Sequence, residues 1–280
     1  MSSVVLATFD GFPDGYTDDV DLVAALAARG VDARWQVWGE PADADLVVLR
    51  STWDYTWRVP EFLAWCASVP RLANPLPVVE WNTDKAYLLE LAKAGVPVVP
   101  TELVIPGERP DWPDGEFVLK PSVGAGARGF GRFTDPAAAT DHLATLHAAG
   151  KTAMLQPFLS SAAAEGEVAL VYFGGEYSHA FAKSAPADEP VNASGLRPST
   201  PSPLAEPEPV YRSLAEDVLD AAATQLDRRR TELLYARVDL VRGDDGAPVL
   251  LELELVEPNL GFTQADPRAT RRFADAIARY

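Results

Sequence analysis

Three carboxylates near the end of the sequence are spaced like metal ligands on a β-hairpin. Glu252 and Glu254 alternate with leucines, so on a strand both carboxylates share one face while the leucines face a core. A glycine-bounded turn at 243–246 folds the chain back and brings Asp239 beside them. Mg²⁺ and Mn²⁺ prefer such oxygen ligands. The pattern predicts a metal site, and a solvated polar face of the same hairpin is the alternative.

A glycine-rich segment at 124–129 is the second chemical feature. Its amide groups can close over phosphates, and the nearby Lys120 adds a positive charge. The spacing of its glycines also fits a dinucleotide-binding fingerprint, which would place a helix start inside the segment and indicate a nicotinamide-dependent oxidoreductase. Residues 130–133 look extended instead, which favours a loop between antiparallel strands, and a tight hairpin with a surface lysine is the remaining interpretation. A P-loop protein is excluded because no GxxxxGK[ST] pattern exists.

A third feature is the hinge-like segment 156–159, with the sequence Gln-Pro-Phe-Leu, followed by Glu165 and Glu167. At a hinge between two sheets, free backbone groups can pair with a nucleotide base while apolar neighbours sandwich it. Lys85, in a predicted helix, and Lys183, at the end of a predicted strand, are two further cations. Each of these lysines taken singly is more often a surface residue.

The composition limits the classes of partner. In 280 residues, 41 acidic side chains outnumber 24 basic ones, and the net charge of −17 repels nucleic acids and anionic membranes. One cysteine and three scattered histidines exclude a disulfide framework, a cysteine-rich metal site and a histidine-pair site. The sequence starts without a basic leader, and no apolar run approaches the roughly 18 residues of a membrane span, so we expect a cytoplasmic protein.

The elements that position these residues begin with a small α/β segment at 1–75. Short apolar runs predict strands at 4–8, 34–38 and 45–50. A helix capped by Thr17 and ended by Gly30 separates the first two, which is typical of a parallel-sheet domain. Ligands of such sheets lie at the carboxyl ends of strands, which here indicates Asp10 and residues 50–55.

Antiparallel elements are predicted beyond a stiff Asn-Pro-Leu-Pro connector at 74–77. Strands are predicted at 96–101, 117–121, 154–158, 168–173, 177–183, 233–242 and 248–256. Helices are predicted from Thr83 to Gly95, from Pro136 with Asp135 as its cap to Gly150, over 214–226, and after Asp266-Pro267. Gly174-Gly175 is a hairpin signal. The proline-rich residues 184–209 predict a long loop, either a plain linker or a segment ordered on binding.

Taken in order, these segments resemble those of the ATP-grasp ligases over nearly the whole chain. The matching segments are Asn74-Pro75, Thr83-Asp84-Lys85, Val118-Leu119-Lys120-Pro121 with its glycine loop, the 156–158 hinge, Asp239 and Glu252-Leu253-Glu254. The resemblance implies an α/β and α+β fold in which two antiparallel-sheet domains grip ATP behind a small parallel-sheet domain at 1–75. The central lid domain with the glycine loop would span 76–158, and the C-terminal domain with the metal site would span 159–280.

The resemblance also implies a role for each candidate residue. Lys85 and Lys120 would contact the phosphates of ATP, while Asp239, Glu252 and Glu254 would hold Mg²⁺, with Mn²⁺ as the alternative metal. The other nucleotide-binding positions are Gly124, Gly126, Gln156, Pro157, Phe158, Leu159, Glu165 and Glu167. The catalytic positions are Lys183, Arg237 and Asn259, and the substrate positions are Asp10, Arg50, Ser51, Asp54 and Arg197.

A narrower similarity is to a group of cyclo-ligases that includes the one acting on O-ureido-serine in D-cycloserine biosynthesis, and it is carried by residues 50–55, 167–173, 178–180 and 251–254. The resemblance implies that ATP activates a small-molecule carboxylate as an acylphosphate, which an amine or similar nucleophile attacks. The nucleophile belongs either to a second molecule or to the same amino-acid derivative, such as an O-ureido-serine, which is then cyclised. A non-catalytic nucleotide-binding protein of the same fold is the alternative. The sequence is compatible with a homodimer, and it does not name the carboxylate or the nucleophile.

Overall fold

The computed structural model describes residues 2–184, 201–203 and 206–280. The strands are β1 (Ser2–Thr8), β2 (Val31–Val37), β3 (Leu46–Ser51), β4 (Leu72–Ala73), β5 (Glu102–Val104), β6 (Phe117–Pro121), β7 (Gly131–Phe133), β8 (Ala153–Pro157), β9 (Glu167–Phe173), β10 (Glu176–Lys183), β11 (Pro201–Pro203), β12 (Tyr235–Arg242) and β13 (Pro248–Glu254). The α-helices are α1 (Leu22–Ala27), α2 (Val59–Ser68), α3 (Leu76–Thr83), α4 (Tyr87–Lys93), α5 (Pro136–Ala148), α6 (Ser160–Ala164), α7 (Pro209–Gln225) and α8 (Ala269–Arg279). Short 3₁₀ turns lie at Thr17–Asp19, Trp53–Trp57 and Arg230–Glu232. Among these described residues, none of the helices combines the length and apolarity that a bilayer crossing requires.

The N-terminal part is a parallel sheet in the order β2-β1-β3-β4. Alternate residues of β1 pack in opposite directions. Val4 and Leu6 join an apolar cluster with α1 and α8, whereas Val5 and Ala7 join one with α2. Burial on both faces explains the continuous apolar run of β1, and the predicted parallel-sheet architecture is confirmed.

The central part is an antiparallel sheet in the order β5-β8-β6-β7. Helix α5 covers one face and packs against Phe117 and Leu119. This helix begins as predicted, because the Asp135 side chain accepts a hydrogen bond from the backbone N–H of Ala137 at 3.0 Å and Pro136 follows the cap.

The C-terminal part is a second antiparallel sheet, in the order β11-β10-β9-β12-β13. Helix α7 packs on one face through Leu214 and Val218, and α8 packs on the other through Phe273. The β9–β10 hairpin turns at Gly174 and Gly175, whose φ angles of 57° and 79° suit glycine, so the predicted hairpin is confirmed. Helix α8 shares its apolar cluster with β1 and therefore joins the first and third sheets.

The segment around Lys85 differs from the prediction. Thr83 ends α3 rather than capping the next helix, and its hydroxyl donates to the carbonyl of Val79 at 2.7 Å. A threonine hydroxyl that bonds back to the preceding turn is no longer available as a cap. Helix α4 starts only at Tyr87, so Lys85 lies in the connection between two short helices.

Some other element boundaries also differ. The strand predicted at 96–101 is wrong, because Val98 forms only an isolated bridge and the strand begins at Glu102. Thr17 starts a 3₁₀ turn, and α1 begins only at Leu22. The final helix begins at Ala269, where the residue before it, Arg268, makes no capping side-chain bond.

The three sheets follow the three predicted segments. All strands of each sheet fall within one of the ranges 1–75, 76–158 and 159–280, while the domain boundaries themselves stay predictions. Of the predicted loop at 184–209, residues 185–200 and 204–205 lie outside the described part of the chain, and β11 lies between them.

Candidate active site

A cavity of about 550 Å³ lies where the three parts of the chain meet. Many residues predicted for the site line it. They are Lys85, Lys120, Gly124, Gly126, Gln156, Pro157, Phe158, Leu159, Glu167, Lys183, Arg237, Glu252, Glu254 and Asn259. Tyr16, Trp53 and Tyr55 of the N-terminal part also line the cavity, so residues from all three sheet segments reach one space.

The three acids of the predicted metal site come together beside this cavity. The β12–β13 register pairs Asp239 with Glu252 and Arg237 with Glu254. One carboxylate oxygen from each acid lies within 4.8 Å of the others. Three converging carboxylates match the oxygen preference of Mg²⁺, so the residues fit a divalent cation.

Three cationic side chains form ion pairs with these acids. Lys85 Nζ lies 3.1 Å from Glu252, and Lys183 Nζ lies 2.6 Å from Asp239. Arg237 donates two hydrogen bonds to Asp239, at 2.9 and 2.8 Å, and a third to Glu254. A second carboxylate, that of Glu167, lies 2.7 Å from Lys183. The cluster is thus an alternating network of charges, which reduces the repulsion among the acids.

The acids differ in how fully the neighbouring cations offset their negative charge. Burial would raise the pKa of Asp239, but Arg237 and Lys183 lower it to about 2, so this carboxylate is ionised at neutral pH. Burial raises the pKa of Glu254 to about 7, with Arg237 opposing this rise and Glu252 and Asp239 adding repulsion. A divalent cation would favour the ionised form of Glu254.

Lys120, on β6, is compensated differently from the other two lysines of the cavity. No ion pair or hydrogen bond joins its ammonium to another residue in the described part of the chain. Burial lowers the pKa of Lys120, the carboxylate of Glu252 opposes this, and Lys85 and Lys183 add repulsion. Because an ammonium that is half-buried without a partner is costly, an anion is the expected partner of Lys120.

The glycine-rich segment is a loop between two antiparallel strands, as favoured above. It joins β6 to β7, and the next helix starts only at Pro136, which is incompatible with a dinucleotide-binding fingerprint. The backbone carbonyl of Gly124 accepts a hydrogen bond from Lys85 Nζ at 2.8 Å. Gly126 and Gly129 have φ angles of 60° and 71°, which residues other than glycine adopt only at a cost in conformational energy.

The hinge segment forms the apolar end of the cavity. Gln156 donates to the hydroxyl of Thr101 at 2.8 Å, and the Phe158 N–H donates to the Glu116 carbonyl at 2.9 Å, which fixes the path of the chain. Leu159 packs in a cluster with Val99 and Val241, and Leu251 lies against the same cluster. The faces of a flat aromatic ring such as adenine match this apolar surface.

Several predicted positions are not brought to the cavity. Glu165 pairs with Arg242 at 2.9 Å, and Asp10 is exposed. Three other predicted substrate positions bond to neighbouring residues of the protein. Arg50 contacts Asp19 at 2.8 Å, Ser51 contacts the Thr8 hydroxyl at 2.7 Å, and Asp54 contacts Trp38 Nε1 at 2.6 Å and Arg58 at 2.7 Å. The side chains of Arg50, Ser51 and Asp54 are therefore buried and hydrogen-bonded within the protein. Arg197 lies outside the described residues.

The structure adds residues that the sequence did not single out. Arg128 and Glu257 line the cavity on the side of the N-terminal sheet, together with Trp53 and Tyr55 of the predicted segment 50–55. Burial raises the pKa of Glu257 to about 8, and Glu254 adds repulsion. The signal available in the sequence was the position of Glu257 directly after the acidic strand and of Arg128 inside the glycine-rich segment.

Relatives share this chain's sequence over most of its length. A family model described as D-cycloserine synthetase DcsG, N-terminal domain, matches residues 4–75. The cycloserine biosynthesis protein DcsG of Streptomyces lavendulae is 39% identical over 253 residues, which are 84% of this chain and 82% of that protein.

Solved structures share the architecture. The crystal structure of D-cycloserine synthetase DcsG matches with a TM-score of 0.84 at 34% identity and covers 99% of both chains. The D-alanine–D-alanine ligase of Bacillus anthracis, complexed with ATP, matches in fold with a TM-score of 0.67 at 14% identity, over 100% of this chain and 97% of that one. With its identity to DcsG over most of both sequences, the chain belongs to the DcsG family, and its architecture is the ATP-grasp fold.

Proposed function

We propose that the protein uses ATP and Mg²⁺ to convert a substrate carboxylate into an acylphosphate, which a nitrogen nucleophile of the same molecule attacks. One observation carries this proposal, namely that the ammonium of Lys120, which has no partner among the described residues, shares one cavity with Glu252 and Glu254, and that Asp239 lies beside them. A half-buried cation of this kind suits a phosphate, and the adjacent oxygen cluster suits the metal that accompanies a triphosphate.

The nucleotide would lie along the cavity. Its adenine fits the apolar hinge at 156–159, and its phosphates then reach Lys85, Lys120 and the loop at 124–129. Asp239, Glu252 and Glu254 would hold Mg²⁺, which, when bound, offsets the negative charge of the phosphates. The hydrogen bond from Lys85 Nζ to the Gly124 carbonyl holds the glycine loop beside the phosphates.

The chemistry needs positioning and charge stabilisation rather than an enzyme nucleophile. A carboxylate oxygen of the substrate attacks the γ-phosphorus of ATP, and ADP leaves. The nitrogen then attacks the acyl carbon and loses a proton, and phosphate leaves with the former carboxylate oxygen and takes up this proton. Lys183 and Arg237 would stabilise the charge that develops in these steps, and the Asn259 carbonyl, which accepts from Arg237 at 2.8 Å, would keep the guanidinium oriented.

The substrate would occupy the end of the cavity formed by Tyr16, Trp53, Tyr55 and Glu257. A small amino-acid derivative fits a space with aromatic walls and one carboxylate. The relatives carry the names D-cycloserine synthetase and cycloserine biosynthesis protein, which supports an O-ureido-serine as the molecule that is cyclised.

Incubation of the purified chain with O-ureido-serine, ATP and Mg²⁺ tests the proposal. We expect ADP, phosphate and a cyclised product, with loss of activity in Glu252→Gln and retention in Glu108→Gln, whose exposed carboxylate lies outside the residues lining the cavity. Formation of AMP and pyrophosphate would contradict the acylphosphate route. ADP formation with other carboxylates alone would retain the route and overturn the substrate.

A further inference from the structure

Arg128 links the glycine loop to the N-terminal part of the molecule. It lies between β6 and β7, yet its Nη2 donates to the backbone carbonyl of Trp53 and, at 2.7 Å, to the hydroxyl of Thr56. Its guanidinium carbon lies 4.4 Å from the centre of the Trp57 ring, a cation–π contact. The loop beside the cavity is thereby fastened to a 3₁₀ turn that follows the parallel sheet.

The other terminal nitrogen of this guanidinium, Nη1, is buried and has no hydrogen-bond partner among the described residues. Buried donors in native proteins are nearly always satisfied, by protein, water or a ligand, and a charged donor left without an acceptor is the costliest case. Because Arg128 lines the cavity, an acceptor oxygen that enters the cavity would complete its hydrogen bonding.

The surroundings of Arg128 place this acceptor at the substrate end of the cavity. Burial lowers the pKa of Arg128, and the carboxylates of Glu257 and Asp54 oppose this. Glu257 and Tyr55 line the end that the proposed function assigns to the substrate. The phosphate lysines are instead grouped around Glu252, so the oxygen that reaches Arg128 belongs to the substrate.

We propose that Arg128 is a catalytic residue of the ligation, whose Nη1 donates a hydrogen bond to the substrate carboxyl group while its Nη2 holds the glycine loop against the turn Trp53–Trp57. This inference rests on the proposed function. Because one side chain makes both contacts, substrate occupancy and loop closure are coupled, and the acylphosphate forms where water is excluded. Loss of Arg128 weakens substrate binding and admits water to the intermediate.

Steady-state kinetics of Arg128→Ala in the full chain, with O-ureido-serine, ATP and Mg²⁺, test the inference. The KM for the substrate should rise roughly 10- to 100-fold, as for the loss of a hydrogen bond to a charged group. The KM for ATP should change by less than about threefold, because that contact is made by other residues. The ratio of ADP to cyclised product should rise as water intercepts the acylphosphate, and added guanidinium ion should restore part of the cyclisation.

Arg212→Ala is the matched control. Arg212 also lies against an aromatic ring, 4.2 Å from the centre of Tyr177, but is absent from the residues lining the cavity. It should keep the wild-type KM values and ratio of ADP to product. An unchanged substrate KM and ratio in Arg128→Ala, or an equal rise of both KM values, would overturn the inference.

A measurement without substrate separates this inference from the proposed function. If the wild type forms no ADP from O-ureido-serine, the substrate assignment fails. Hydrogen exchange of the ADP·Mg²⁺ complex then tests whether Arg128 links the glycine loop to the turn Trp53–Trp57. Amides at 53–57 and 124–129 should exchange about tenfold faster in Arg128→Ala than in the wild type or Arg212→Ala. Equal exchange in all three proteins would refute the link between the loop and the turn.

Discussion

At the residue scale, the cavity contains two kinds of lysine. Lys85 and Lys183 lie 3.1 and 2.6 Å from acids of the proposed metal site, so they offset charges that a metal would also neutralise. Lys120 has no such partner in the described part of the chain and is open to a phosphate. An acidic protein can therefore bind an anionic nucleotide through one local group of cations rather than through a basic surface.

Replacement of Lys120 by Met should weaken nucleotide binding without destabilising the fold. The change removes a half-buried ammonium whose pKa is lowered by its partial burial, so the free energy of unfolding should stay equal or rise by about 1 kcal/mol. The Kd for ATP should rise roughly 10- to 100-fold, since a charge-assisted contact is lost. Calorimetric titration and denaturant unfolding measure the two effects. Lys93→Met, on the exposed side of α4, should change neither, and an unaltered Kd in Lys120→Met would contradict the role of Lys120.

At the element scale, local sequence predicted the hairpin of the metal site because its side chains alternate with a period of two. Asp239 pairs with Glu252 as the alternation and the turn require. The helices before it were predicted less well. Asn82 and Tyr87 hydrogen-bond to the backbone of Leu253, more than 160 residues later in the chain, and no local pattern contains such a contact.

The substrate positions show the same limit. The rule that ligands lie at the ends of parallel strands drew attention to residues 50–55, and Trp53 and Tyr55 of this segment line the cavity. The side chains of Arg50 and Asp54 are instead buried in contacts with Asp19, Trp38 and Arg58. Polar residues after a strand can serve a ligand or the protein itself, and only the positions of distant partners decide between the two.

Asn82→Ala should destabilise the protein through the edge of β13. The Asn82 side chain donates to the Leu253 carbonyl at 2.8 Å and accepts from the Leu255 N–H at 2.6 Å, which replaces a neighbouring strand. The change leaves the buried Leu255 N–H without this acceptor. It also removes one of two hydrogen bonds to the Leu253 carbonyl, to which the Tyr87 hydroxyl still donates at 2.7 Å. The free energy of unfolding should therefore fall by about 2 kcal/mol. Thr224→Ala, at an exposed helix position, should cost less than about 0.5 kcal/mol. Equal denaturant midpoints for both variants would show that the edge is satisfied in another way.

His179, on β10, should make the fold less stable in acid. Burial lowers its pKa from 6.5 to about 4, against a hydrogen bond to the Leu260 carbonyl that raises it. The unfolded chain therefore binds the proton first, and stability is lost as the pH falls from 6.5 toward 4, by about 2 kcal/mol at pH 5. Denaturant unfolding of the wild type and of His179→Gln at pH 7 and pH 5 measures this loss of stability. The variant should lose less stability than the wild type, and an equal loss would contradict the assignment.

At the scale of the whole molecule, the three sheets share one cavity, and α8 joins the first sheet to the third. The nucleotide would contact the central and C-terminal sheets, and the substrate would contact the N-terminal part. Because the net charge is −17, an anionic nucleotide depends on the cations at this junction. The metal, which is positively charged, depends on the acids there. Ligands should therefore stabilise the molecule as a unit.

ADP with Mg²⁺ should raise the melting temperature more than ADP alone. A ligand at 100-fold its Kd stabilises the folded state by about 2.7 kcal/mol, and the metal should account for part of this through Asp239, Glu252 and Glu254. Calorimetric melting curves of the wild type and Glu252→Gln measure the increment due to Mg²⁺. Glu108→Gln should retain it and Glu252→Gln should lose it. An equal increment in all three proteins would place the metal elsewhere.

The central claim, activation of a carboxylate as an acylphosphate, is tested most directly by isotope transfer. O-ureido-serine labelled with ¹⁸O in its carboxyl group is incubated with the protein, ATP and Mg²⁺, and the released phosphate is analysed by mass spectrometry. We predict that each phosphate released with product carries one ¹⁸O atom, because a carboxylate oxygen attacks the γ-phosphorus. Product formed with unlabelled phosphate would contradict the account.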